Sequence, residues 1–390
     1  MVISKKTLQF FIAILVACLP LFANANHPTD STVVTTEAGD APEAKSHGHE
    51  AETANLSEEE KAELERKAYV KHHLLDSHDF TLFSYGKDGE HHFGFPLPVI
   101  LWDNGIHFFS SSKFEHGEAV AESKGNYYKI NHHDGKVYKT DAEGTFTLDK
   151  KGHVTNAKPI DFSITKNVLM ILVVGLIMFL LFAALGKSYK KNGSIAKGAG
   201  RFFEPIILYV RDDIAIPNIG EKHYKKYMSF LLTIFFFIWF LNMFGLTPLG
   251  VNITGNIAVT ASLAVITYLI TTFTAKKDYW KHIFWMPGVP VPMKFILAPI
   301  ELLGTIIKPF SLTIRLYANM LAGHVVLMTL ISLMYKFDSP IGSPLSFLLA
   351  FVLSLLEVLV ALLQAYIFTM LAALYFGSAV EEHHHDEAHH

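Results

Sequence analysis

Lys294, Glu301, Lys308 and Arg315 recur every seven residues along a stretch that is otherwise almost wholly apolar. A heptad step drifts only about 20° around a straight helix, so the four form one polar stripe. Inside a bilayer each such group costs roughly 3 kcal/mol on insertion scales and has to face water or a partner. Lys294, near one end of the stretch, has the place of an interface anchor whose stem snorkels to the headgroups. Arg315 lies about 20 Å of helix beyond Glu301, too deep for that escape. Its guanidinium cannot be deprotonated, and it favours the ionised form of any carboxylate brought beside it. A sparser polar face follows, with Glu357 and Gln364 again seven apart among Leu, Val and Ala. Gln364 is either a hydrogen-bonded bridge between helices or part of the same chemistry. An unpaired Glu357 carboxylate would be expensive, and His324 is its candidate partner.

The elements that must hold these residues are membrane helices. Of 390 residues, 51% are hydrophobic and only 18% charged, and the apolar ones concentrate after the first 160. Runs at 164–185, 228–246 and 257–273 are each long enough to cross a bilayer. Lys187, Lys190, Lys191, Lys197, Arg201, Arg211, Lys222, Lys225 and Lys226 lie between the first two runs, and Lys276, Lys277 and Lys281 follow the third. The segment 247–256 has no basic residue, which puts both basic regions in the cytoplasm and the N-terminal region outside. Two further apolar segments, about 294–335 and 345–380, are too long for upright spans. Roughly 40 helical residues extend about 60 Å, twice the hydrocarbon core, so these helices should be strongly tilted. Pro309 permits a kink in the first of them.

The N-terminal part is organised differently. Lys5 and Lys6, an apolar stretch at 8–19 and Ala23-Asn24-Ala25 follow the order of a secretory signal peptide over 1–25. The alternative is a lipoprotein box at Leu15-Val16-Ala17-Cys18, with Cys18 lipidated. Residues 26–56, rich in Ala, Thr, Glu, Pro and His, should be disordered. A capping box at Ser57-Glu58-Glu59-Glu60 opens a helix to about His73. From Asp79 to about Ile160, short apolar or alternating runs separated by Asp88-Gly89, Asn104-Gly105, Asp134-Gly135 and Lys151-Gly152 predict strands and turns. The expected fold is therefore an all-α integral membrane domain over 161–380, with about five membrane helices, the last two long and strongly tilted. It carries a small β-rich extracytoplasmic domain within 57–160 and a His-rich cytoplasmic tail at 381–390.

A formal charge of −3 gives no reason to expect nucleic acid, and Cys18, the one cysteine, allows neither an intramolecular disulfide nor a Cys-based metal site. Thirteen of the 21 histidines fall in 27–153 and five in 383–390. His47-x-His49, His72-His73 and His132-His133 lack the spacing of a closed metal site, so no metal or other cofactor is expected. No phosphate-binding G-x-x-x-x-G-K-[ST] motif occurs, so the chain should have no nucleotide site of its own. A stand-alone transporter or channel with a metal-sensing outer domain is the alternative class. It would need repeats or substrate-sized polar constellations across all the spans.

The stretch 300–324, IELLGTIIKPFSLTIRLYANMLAGH, closely resembles the subunit a signature of F-type ATP synthases. Its core is Arg315-Leu316-Tyr317-Ala318-Asn319-Met320-Leu321-Ala322-Gly323, and Leu362-Leu363-Gln364-Ala365-Tyr366-Ile367-Phe368 lies where the family places a second signature. Segments 242–248, 254–260, Glu204-Pro205 and 210–220 add support, and the likeness covers about 161–382. It implies five membrane helices in a bacterial inner membrane, a cytoplasmic C-terminus and two long helices wrapping a rotating ring of subunit c. Peripheral-stalk subunit b and the other synthase subunits are the further implied partners. Arg315 matches the family's essential arginine and would face the ring carboxylate, with H⁺ the favoured ion. On this likeness Glu301 and Lys308 lie on the cytoplasmic side of Arg315, Glu301 lining the outlet. His324 and Glu357 would form a titratable pair in the periplasmic inlet, with Asn319 nearby, while Gln364 helps to position Arg315. His324 lies half a turn round the helix from Arg315 and should line the inlet rather than the stripe. Some family members carry an acid where His324 stands and a histidine where Glu357 stands.

Overall fold

Short alternating segments punctuated by turn residues give eight strands, among the described residues, ahead of the first long apolar helix in the computed structural model. It describes residues 76–381 apart from 86–90, 133, 150–153, 193–197, 199, 248–250, 287–288 and 337–341. The signal segment, Cys18, the 26–56 stretch, the helix expected from Ser57 and the His-rich tail from 382 lie outside the described residues. Strands β1 (Asp79–Tyr85) and β2 (His91–Pro96) form an antiparallel pair. Strands β3 (Pro98–Trp102), β4 (Ile106–Ser110) and β8 (Ile160–Asp161) form a sheet ordered β4-β3-β8. Strands β5 (Ala121–Ser123), β6 (Asn126–Ile130) and β7 (Val137–Thr140) form a third. Asn104 and Gly105, both at positive φ, turn β3 into β4, and Gly135 at φ 68 serves between β6 and β7. Val99, Leu101, Phe109, Phe114, Tyr128 and Val137 close a small core between the sheets.

The β-rich domain is joined firmly to the first membrane helix, α1 (Lys166–Asn192). Asp76 accepts from Thr165 Oγ1 (2.8 Å) and the Asn167 amide (3.2 Å), capping donors that the helix start leaves open. The Lys166 amide donates to the Ser77 carbonyl, and His78 Nε2 lies 2.9 Å from Asp161 Oδ2. Phe80 and Leu97 share a buried apolar cluster with Met170, Ile171 and Val174 of α1.

Among the described residues, five helices are long and apolar enough to cross a membrane: α1, α4 (Tyr224–Gly245), α5 (Ile257–Thr274), α7 (Val291–Lys336) and α8 (Gly342–Val380). The chain is thus an all-α multi-pass membrane protein with a small β-rich domain. The basic stretch between the first two spans folds into α2 (Gly200–Tyr209), a π-helical turn (Val210–Ala215) and α3 (Ile216–Ile219). Its buried Val210, Ile214 and Ile219 pack into the membrane core, which the surrounding lysines conceal in sequence. Helix α3 meets α8 backbone to backbone, and a Cβ on Gly377 would lie 1.9 Å from the Asn218 carbonyl oxygen. Helix α6 (Lys277–Phe284) joins α5 to α7. At 46 and 39 residues, α7 and α8 extend about 69 and 58 Å, so both must lie obliquely to fit a core of about 30 Å.

Candidate functional site

Helices α7 and α8 run antiparallel, as two close approaches define: Gly323 meets Glu357, and Lys308 meets Tyr375. The packed seam of α7 is Thr305, Leu312, Leu316, Met320 and His324, all buried and spaced by seven or four residues. Lys294, Glu301, Lys308 and Arg315 run half-buried beside that seam, between it and the outward Ile300, Leu303, Ile307, Phe310 and Ile314. Among the described residues none of these four forms an ion pair. Lys294 Nζ stands 4.3 Å from the centroid of the Trp285 ring, and Lys308 Nζ 5.5 Å from that of Tyr375. Aromatic faces attract a cation electrostatically, which holds both ammonium groups without a carboxylate.

Beyond Arg315, toward the end that carries the β-rich domain, Asn242, Thr254, His324 and Glu357 are buried together with two glycines. Thr254 Oγ1 donates to Asn242 Oδ1 at 2.7 Å. A Cβ added to Gly245 would come within 3.6 Å of His324 Nε2, and one on Gly323 within 2.9 Å of Glu357 Oε1. The carboxylate therefore rests on the α7 backbone one residue from His324, while the imidazole points to α4. No hydrogen bond joins His324 to Glu357 directly. Among the described residues, no hydrogen-bond partner reaches the buried Asn242 Nδ2, Asn252 Nδ2, His324 Nε2 or either Glu357 oxygen. Leaving such a group unsatisfied costs about 1–3 kcal/mol, so this cluster calls for water or a mobile proton among its members.

A cavity lies on the other side of Arg315. It is lined by Thr267, Tyr268 and Thr271 of α5, Tyr279 of α6, Thr305, Lys308 and Pro309 of α7, and Tyr375 and Ser378 of α8. The hydroxyls of Thr267, Thr271, Thr305 and Ser378 donate to carbonyls of their own helices at 2.7–2.9 Å, which leaves their lone pairs as acceptors. Pro309 has no N–H to offer the Thr305 carbonyl, which adds a further acceptor beside the cavity. Burial, then the neighbouring Tyr268 and the Glu301 carboxylate, push the Tyr279 phenol above its ordinary value.

Arg315 thus separates two polar compartments, about 10 Å of helix from Lys308 and about 14 Å from His324. Asn319 is exposed on α7, away from the His324 cluster. Gln364 is buried on α8, where the register of the two close approaches sets it level with Leu316 to Asn319. No hydrogen bond links it to Arg315. Asn242, Thr254, Gly245, Gly323 and Tyr375 were not singled out in sequence as parts of a site. Asn242 had one usable signal, as an amide inside an otherwise apolar helix. Thr260, Thr267, Thr271 and Thr274 had another, since they repeat on one face of α5.

A bundle of five membrane helices, with ionisable groups between its last two, defines a multi-pass membrane protein built to handle charge at depth. The chain belongs to the ATP synthase A chain family, whose model matches residues 168–377. It is 42% identical over 237 residues to an ATP synthase subunit a of Chloroherpeton thalassium, covering 59% of this chain and 70% of that protein. A subunit a of Myxococcus xanthus is 41% identical over 235 residues, 58% of this chain and 77% of its own length. One from an Anaeromyxobacter species is 40% identical over 239 residues, 59% of this chain and 57% of its own length. Residues 69–162 match a separate family described as a domain of unknown function, DUF8433.

Proposed function

We propose that this chain is the ion-translocating stator subunit of a rotary ATP synthase, with Arg315 set between two proton half-channels. Family membership supports the role, and the observation that carries the mechanism is the pair of separate polar compartments flanking one half-buried guanidinium. The cluster of His324, Glu357 and Asn242 is the inlet from the side of the β-rich domain. The cavity of Thr267, Thr271, Thr305, Lys308 and Tyr375, with Glu301 at its rim, is the outlet toward the basic, cytoplasmic end. The partner surface is the outward face of α7 and α8, where a ring of subunit c brings a carboxylate past Arg315.

The chemistry follows from a fixed charge. A guanidinium beside a ring carboxylate favours its ionised form and so releases its proton to the outlet. The same charge repels a proton or hydronium that would cross directly from one compartment to the other. Current then passes only by turning the ring. Arginine suits this post because its charge is permanent, whereas a buried lysine can lose its proton. Nucleotide chemistry belongs to other subunits, and a peripheral stalk would hold this one still. The test is ATP synthesis driven by an imposed proton gradient in membrane vesicles, comparing the parent with Arg315→Ala. Loss of synthesis in a complex that still co-purifies the ring supports the mechanism; unchanged synthesis rejects it.

A further inference from the structure

The sheet β4-β3-β8 is apolar on both faces. One face, with Val99, Leu101 and Phe109, makes the core of the β-rich domain. The opposite face is where an extracellular sheet ordinarily carries polar side chains. Here it presents Trp102 (52% exposed), Ile106 (54%), Phe108 (68%), Ile160 (45%) and Phe162 (40%). The pairing brings them together. Trp102 lies opposite both Ile106 and Ile160, while Ile100 lies opposite Phe108 and accepts from the Phe162 amide. Neighbouring strands are about 4.8 Å apart, so the five side chains form one contiguous patch, larger than scattered surface apolars explain.

Chain length fixes where this patch can be. Phe162 precedes the first residue of α1, Lys166, by four positions, a reach of at most about 14 Å. Strand β3 begins beside the same point, since the Ile164 amide donates to the Pro98 carbonyl. The domain also reaches down α1, because Phe80 and Leu97 pack with Met170 and Ile171 inside the apolar span. The base of the sheet is therefore at the hydrocarbon boundary. Much of α1 itself, with Leu176, Phe179 and Leu180 exposed, is open to lipid. The rim carries a cation, Lys124, whose ammonium donates to the Ile106 carbonyl at 2.7 Å. A Trp and Phe surface edged by lysine has the composition of a membrane-interface anchor.

We propose that the outer face of sheet β4-β3-β8 seats the β-rich domain on the lipid headgroup region around α1. The domain is then a bilayer-resting foot of the stator rather than a freely hydrated appendage. Phe162 and Phe108 enter deepest, and Trp102 and Ile106 lie toward the headgroups.

The test uses spin labels on Phe108→Cys and Ile106→Cys, with Ala142→Cys on an exposed turn as control. The labelled chains are read in the assembled complex, reconstituted in vesicles of phosphatidylcholine and phosphatidylglycerol. The unsubstituted chain gives the background from Cys18. Seating on lipid predicts that oxygen collides with the labels at 108 and 106 more often than a water-soluble nickel complex does. The ratio should be higher at 108 than at 106, and reversed at 142. Nickel-favoured collisions at all three positions mean the face is free in water and overturn the proposal. Immobilised labels at 106 and 108 that neither reagent reaches also overturn it, in favour of a protein cover, whether another subunit or a second copy. None of these readouts depends on ATP synthesis, so they stand apart from the fate of the proton-channel mechanism.

Discussion

The two compartments beside Arg315 are built from different materials. On the side of the β-rich domain, a carboxylate, an imidazole and two amides carry buried atoms with no hydrogen-bond partner among the described residues. On the basic side, threonine and serine hydroxyls are committed to their own helices, and Lys308 stands over an aromatic ring. The first set can take up and pass on a proton. The second offers acceptors and a lysine ammonium over an aromatic ring, which suits a path that a released proton should leave. Backbone space differs too: glycines at 245 and 323 admit side chains of the neighbouring helices, whereas the cavity is walled by full side chains. The difference is that one compartment is made of titrating groups seated against glycines and the other of polar surface.

The largest effect expected is at the divide itself. Arg315→Ala should abolish gradient-driven synthesis, and Arg315→Lys should recover little, because an ammonium in that position can lose its charge. Passive proton conduction measured in the same vesicles sharpens the point. Removing the fixed charge lets protons cross without turning the ring, so conduction should persist or rise while synthesis stops. Next, Glu357→Leu and His324→Leu should each slow synthesis by about tenfold or more, a barrier increase of about 1.4 kcal/mol. Gly323→Ala should perturb Glu357 in the same direction, because its methyl would meet Oε1 at 2.9 Å and the carboxylate end would have to shift. Gly245→Ala makes only ordinary contact with His324, at 3.6 Å, and should be milder for the imidazole, although its methyl also meets the Val251 carbonyl oxygen at 3.3 Å. Equal effects at the two glycines would show that seat tightness is not what distinguishes the inlet. On the other side, Lys308→Met should cost no more than about twofold in synthesis rate. A loss as large as that of Glu357→Leu would mean that the outlet also depends on one titrating group.

Arg315 and its stripe were legible in sequence because a charge inside an apolar run is costly, and the heptad fixes its face without any tertiary information. The two long helices were legible from length alone. The walls of the compartments were not. The cavity draws on α5, α6, α7 and α8, and nothing local in Thr267 or Ser378 announces that they meet. His324 and Glu357 were named as a pair, but their seating over Gly245 and Gly323 depends on interhelical register, which periodicity does not carry. In the outer domain Asn104-Gly105 and Asp134-Gly135 announced their turns. The apolar outer face of β4-β3-β8 did not show, because strands apolar on both faces lose the alternation that reveals a side. The segment between the first two spans was not legible as helix, since its lysines outnumber the Val210, Ile214 and Ile219 that bury it.

The smallest effect expected is a pH response at the joint between the two domains, where nothing translocates. His78 is buried against Asp161, with Asp76, Asp79 and Lys166 close by. Burial opposes its charge, but the hydrogen bond and charge of Asp161, with Asp76 and Asp79, outweigh burial and raise its pKa above the ordinary 6.5. Stability from this proton is fully present below 6.5 and is lost as pH rises through the raised folded value. Asp161 has the opposite sign. Burial pushes it up, but the bond and charge of His78 and the Ser163 contacts bring it below 3.8, so its contribution is lost only as pH falls through that lowered value. The joint is therefore tightest between the two folded values and loosens on the alkaline side. Asp76, raised by burial, has the same sign as His78 and adds to the loosening as pH rises. Amide exchange over 76–81 in the assembled complex, corrected for intrinsic rate, should quicken as pH climbs above 6.5, and His78→Gln should flatten the response. A slope unchanged in His78→Gln would assign the loosening to another group. A slope of proton translocation that followed the same limb would be more telling. It would mean that the outer domain and the His324 cluster are coupled through α1, rather than being the separate machines their structures describe.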